Sequence, residues 1–106
     1  MGKLERVLYD PPSELTKLIQ GFHQDFEFDV QRYGGYEEAV AEFPSLWLSR
    51  SEYRSAYEVI KYLLGEARPD QLKALFKRSK ADYFFGGRDA VRIFKIWHDV
   101  LEARVK

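Results

Sequence analysis

A chain of 106 residues that is 45% hydrophobic and 16% aromatic has the length of one domain and the apolar mass for one dense core, which excludes a disordered chain. It has no cysteine, which excludes disulfides, thiolate chemistry and cysteine-rich zinc sites. Its 17 basic and 17 acidic residues cancel, so it lacks the strongly basic footprint of a nucleic-acid module.

The opening MGKLERVLYD carries charges at Lys3, Glu5, Arg6 and Asp10 and no apolar run of signal-peptide length. Arg6 stands where a myristoylation signal needs Ser or Thr. Nothing approaches the ~18 consecutive apolar residues of a membrane span. One soluble, cytoplasmic domain over residues 1–106 is therefore expected, without a membrane or nucleic-acid partner. The charge is unevenly spread. Residues 20–49 hold six acids (Asp25, Glu27, Asp29, Glu37, Glu38, Glu42) against Arg32, a net of −5, whereas residues 50–106 hold thirteen bases and eight acids, a net of +5.

Helical periodicity runs through the chain. Residues 4–8 suit a short turn of helix. After Pro11 and Pro12, with Ser13 as N-cap, Leu15, Leu18, Ile19, Phe22 and Phe26 form one apolar stripe, which predicts a helix over 13–25. Phe26, Phe28 and Val30 then alternate. A lone strand has nothing to pair with, so this stretch reads as a loop running into the Gly34-Gly35 break. Tyr36, Ala39, Val40 and Phe43 start a short second helix that should end near Pro44, whose ring disfavours helical backbone in the preceding residue. Ser49 and Glu52 have capping-box spacing ahead of a stripe at Tyr53, Ala56, Tyr57, Ile60, Leu63 and Leu64, which Gly65 can close in the left-handed conformation. Pro69 suits a first helical position before Leu72, Leu75 and Phe76. The run DYFFGG breaks the helical order at Gly86 and Gly87. Asp89 can then cap the last helix, with Ala90, Ile93, Phe94, Trp97, Val100 and Leu101 on its stripe. The expected fold is all-α, a compact bundle of about five helices with short connectors.

Residues that carry chemistry are sparse. A zinc site needs three or four ligands at suitable spacing, and neither His23 nor His98 belongs to a two-histidine motif. On a helix His23 and Asp25 point apart, and the neighbours His98 and Asp99 are not expected to face each other. The glycine pairs match no phosphate loop, and no serine sits in a nucleophile elbow. Paired carboxylates such as Glu37-Glu38 need a cleft and displaced pKa values before they do acid–base work. No catalytic residue, metal or cofactor is assigned. Lys73, Lys77, Arg78 and Lys80 make a basic patch, which near a helix C-terminus reads first as a solvated face favoured by the helix dipole. The acidic stretch is more informative. Its ordinary reading is a solvated helix and loop, and its sharper one a docking surface for a basic protein, with nearby Phe26, Phe28, Tyr33 and Tyr36 as possible anchors. Phe26 and Tyr36, being on the stripes, are expected in the core.

The segment ELTKLIQGFHQDFEFD, with Phe22-His23-Gln24-Asp25-Phe26 at its centre, resembles the opening helix of bacterial contact-dependent growth-inhibition immunity proteins. YGGYEEAVAEFP resembles that family's second element. The remaining order is also similar: a helix ending in Leu63-Leu64, a Pro-Asp-initiated helix, an aromatic connector (Tyr83-Phe84-Phe85) and a last helix with Trp97. The resemblance implies a cytoplasmic, non-enzymatic toxin–antitoxin-type inhibitor. It would bind and neutralise the C-terminal toxin domain, often a nuclease, of a cognate exported effector. The five-residue motif is then read as structural, and Asp25, Glu27, Asp29, Glu37, Glu38 and Glu42 as candidate toxin contacts, since a nuclease presents a basic face. The alternative is a helical adaptor or regulatory subunit, ahead of a nucleic-acid-binding regulator or an enzyme. The oligomeric state is left open.

Overall fold

The computed structural model describes residues 2–22, 26–78 and 87–106, with residues 27, 87 and 88 described by their backbone alone. The described residues form seven α-helices, α1 (Lys3–Tyr9), α2 (Ser13–Gln20), α3 (Phe26–Tyr33), α4 (Tyr36–Trp47), α5 (Tyr53–Glu66), α6 (Pro69–Arg78) and α7 (Gly87–Val105), with one 3₁₀ turn, Arg50–Glu52, leading into α5. The all-α architecture expected from the periodicity is present, with seven helices rather than about five. Helix α7 packs against α5, α6 and α4, and α2 lies across α5 and α4. The radius of gyration, 12.9 Å, is that of a compact domain of this length. No helix among the described residues is long and apolar enough to cross a membrane.

The core is aromatic. Trp97 is fully buried, with the rings of Phe22, Phe43, Phe76 and Phe94 at centroid distances of 6.1, 6.0, 6.2 and 5.7 Å. Phe22 extends the cluster to Phe26 at 4.9 Å and Phe43 at 4.8 Å. Such rings combine large burial with edge and tilted contacts that add about 0.5–1.5 kcal/mol per pair.

Three expected boundaries differ in the structure, each for a physical reason. The predicted 13–25 helix stops at Gln20: the N–H groups of Gly21 and Phe22 bond back three residues, to Leu18 and Ile19, which tightens the last turn. A Cβ at Gly21 would lie 2.7 Å from the Phe43 ring and from Trp47 Nε1, so only glycine admits those side chains. The stripe residue Phe26 therefore belongs to the next helix. The stretch read as a loop is that helix, α3. Phe26, Val30 and Tyr33 are spaced i, i+4, i+7 and turn toward the core, and the short alternation shared two of their number. Helix α3 ends in a Schellman-type closure, with Gly34 left-handed at φ 87° and the Gly35 N–H donating to the Val30 carbonyl at 2.9 Å.

Pro44 does not end the second predicted helix. It sits inside α4, which continues to Trp47. A proline has no N–H, so the carbonyl four residues earlier, that of Val40, loses its helical donor. The indole N–H of Trp97 replaces it, donating to the Val40 carbonyl at 3.0 Å. A side chain from α7 thus completes the hydrogen-bond ladder of α4, and the Val40 carbonyl keeps a partner.

Elsewhere the differences are small. Helix α5 runs through Gly65 to Glu66 and is closed by extended backbone at Ala67, not by a left-handed glycine. Ser49 and Glu52 do form the expected reciprocal cap, the Ser49 N–H donating to Glu52 Oε1 at 2.9 Å, but ahead of the 3₁₀ turn. Helix α6 starts at Pro69 as expected. Helix α7 starts at Gly87, which places Asp89 in its first turn rather than ahead of it. Gly86 and the connector Tyr83-Phe84-Phe85 lie outside the described residues.

Candidate docking surface

Helices α3 and α4 form a hairpin around Gly34-Gly35, with the Phe26 ring 5.4 Å from Tyr36 and 5.7 Å from Phe43. Its inner side is buried through Phe26, Ala39, Val40, Phe43 and Pro44. Val30 and Tyr33 are half-buried against the same core, and the outer side carries acids singled out from the sequence.

Asp29 on α3 and Glu42 on α4 are half-buried, and Glu38 is exposed. Glu38 and Glu42 are one turn apart and share a face of α4. The Glu38 carboxylate curls back over Gly35 at the helix N-terminus, where the dipole favours negative charge. Among the described residues none of these three has an ion-pair partner. Glu37 is different: its carboxylate pairs with Arg92 of α7. Beside it, the Tyr36 phenol is pushed up to about 12, chiefly by burial and further by Asp89, with Arg92 opposing. Glu37 is thus taken up in joining α4 to α7 and separates from the other acids. Asp25 and the side chain of Glu27 lie outside the described residues. Of the motif, Phe22 and Phe26 are core residues, 0% and 1% exposed, and His23 and Gln24 lie outside the described residues.

The apolar side chains of the hairpin add what charge alone did not show. Helices α3 and α4, 8 and 12 residues long, carry four of the five large apolar side chains exposed among the described residues: Phe28, Tyr36, Leu46 and Trp47. Phe28 is 70% exposed, and Tyr36, expected in the core, stands at the start of α4 and is 38% exposed. Tyr33 is half-buried. The exposure of Leu46 and Trp47 was not readable, because α4 was expected to end before them.

His98, 5.3 Å from the Tyr57 ring, places Nδ1 3.0 Å from Asp99 Oδ1 and Nε2 3.7 Å from Glu102 Oε2. The adjacent Asp99 does therefore reach the imidazole, against the expectation from helix geometry. The Tyr57 hydroxyl donates to Glu102 at 2.9 Å, which holds that carboxyl below its ordinary range, with Lys106 assisting, and raises the phenol. Among the described residues no three histidine, aspartate or glutamate side chains are grouped to hold a metal. Open surface depressions are present among the described residues. One of about 580 Å³ is lined by Pro69, Val91, Arg92 and Lys95, and one of about 710 Å³ lies between α1 and α5, and neither brings histidine and carboxylates together.

Comparison with protein-family models, with curated proteins and with solved structures finds no match to this chain.

Proposed function

We propose that the chain is a cytoplasmic immunity-type inhibitor that binds and neutralises the basic C-terminal toxin domain, a nuclease, of a cognate contact-dependent growth-inhibition effector. The single observation that carries this reading is the concentration of unpaired carboxylates and exposed apolar side chains on one helical hairpin. Asp29, Glu38 and Glu42 are spent on no ion pair within the described residues, so their charge remains available to a partner. A surface of this sign attracts a protein that itself attracts phosphate, and it competes with nucleic acid for the same face. The resemblance of residues 14–29 and 33–44 to immunity proteins supports the same reading.

The test is kinetic. The partner is the C-terminal domain encoded directly upstream, and the variant carries Asp29→Lys, Glu38→Lys and Glu42→Lys. Glu37 is left intact because its reversal would break the pair with Arg92. Association should slow by about tenfold or more at low salt, and its salt dependence should flatten. A variant that associates as fast as the parent at low salt rules the reading out.

A further inference from the structure

We infer that Phe28 is the apolar anchor of this surface, and that the partner offers it an apolar pocket rimmed by lysine and arginine. The inference rests on the reading that the hairpin meets a basic protein.

Phe26 and Phe28 are two residues apart on α3, which turns them about 200° from each other. Phe26 is 1% exposed and Phe28 is 70% exposed, so one side of the helix is folded into the core and the other presents a bare ring. A phenyl group has no polar tip to satisfy in water. Tyr9, 69% exposed, makes the contrast: the Arg78 guanidinium lies 5.3 Å above its ring. Among the described residues Phe28 has no such cover. Arg32, one turn further along α3, lies over Tyr33 at 5.5 Å instead, and no other ring or cation meets Phe28 among the described residues. Scattered exposed hydrophobes are ordinary on protein surfaces. Here, however, the bare ring stands next to the unpaired Asp29, on the hairpin that gathers most of the exposed large apolar side chains.

Charge complementarity selects the occupant. Residues 20–49 carry six acids and one base, so a partner that buries Phe28 also meets their field and must supply cations at the pocket rim. The two components then divide the kinetics: carboxylates set the rate of encounter, and the buried ring sets the lifetime of the complex.

Phe28→Ala, Tyr9→Ala and the triple charge reversal are each compared with the parent by stopped-flow association and surface-captured dissociation on the upstream-encoded toxin domain. Thermal melting is followed in parallel. Phe28→Ala should melt with the parent, associate within about twofold of it and dissociate at least about 30-fold faster. Tyr9→Ala should dissociate at the parental rate. If Phe28→Ala dissociates like the parent while the triple reversal slows association, the anchor is refuted and the docking surface stands. If the triple reversal has no effect on association, the surface itself is refuted. A marked loss of thermal stability in Phe28→Ala would return Phe28 to the core and overturn the inference too.

Discussion

Helices α7 and α1 are held in opposite ways. Helix α7 buries Ala90, Ile93, Phe94, Trp97 and Leu101, and packs against three other helices. Helix α1 buries no residue completely: Leu4, Val7 and Leu8 are half-covered. What fastens α1 is a polar clasp. The Arg78 guanidinium donates to the carbonyls of Leu8 and Tyr9 at its C-terminal end, and the Lys3 ammonium lies 4.4 Å above the Tyr62 ring. Both are amphipathic helices in sequence. The difference lies in how much apolar surface each removes from water, and burial, not helix propensity, decides which one opens only with the whole molecule.

The comparison breaks most visibly at Trp97. Trp97→Ala should cost about 3–5 kcal/mol in chemical denaturation, since it empties the centre of the aromatic cluster. Trp97→Phe sharpens the point. It should cost about 1–3 kcal/mol, part of which comes from stranding the Val40 carbonyl. In a Pro44→Ala background residue 44 regains an N–H for that carbonyl. The Trp97→Phe penalty should then fall by about 1 kcal/mol in a double-mutant cycle, and equal penalties in both backgrounds would show that the indole bond contributes nothing. Gly21→Ala should cost about 1–3 kcal/mol, because Phe43 and Trp47 must move from the space its methyl needs.

Effects at the periphery should be smaller and local. Arg78→Ala should change the global melt by no more than about 1 kcal/mol. It should nevertheless speed amide exchange within α1 about tenfold or more, leaving α7 unchanged. The Lys17–Glu52 contact, 2.7 Å, ties α2 to the start of α5 and lies between these extremes. The bond from Lys17, aided by those from Ser49, brings the Glu52 carboxyl down from 4.5 to about 2. A carboxyl depressed in the folded state stabilises above its unfolded pKa, and that contribution fades as pH falls through the folded value. Parent and Glu52→Gln should therefore differ most in melting temperature above pH 4.5 and converge near pH 2. A constant difference across that range would exclude the ionic origin.

Much of this architecture was legible from residue spacing. The stripes on α2, α5, α6 and α7 mark residues that are buried, apart from Tyr53, Leu64 and Val100, which are half-buried, and Ser49 with Glu52 marked a real cap. Helix α3 was not legible, because Phe26 and Val30 satisfy two-residue and four-residue periods equally, and only Tyr33 separates them. Pro44 misled for a deeper reason: the donor that allows α4 to continue is 57 residues away. The candidate surface was readable as charge but not as geometry. Local sequence does not reveal that Glu37 is consumed by Arg92, or that of two nearby phenylalanines one is core and the other bare.

The bond from Trp97 to Val40 also bears on the order of events during synthesis. The hairpin leaves the ribosome well before the residue that completes its backbone hydrogen bonding, so a nascent chain lacking α7 carries a helix with an open rung at its middle. Maturation of the acidic face is thereby tied to arrival of the C-terminal segment, and fragments cut short of that tryptophan should display the hairpin's charges without its native rigidity.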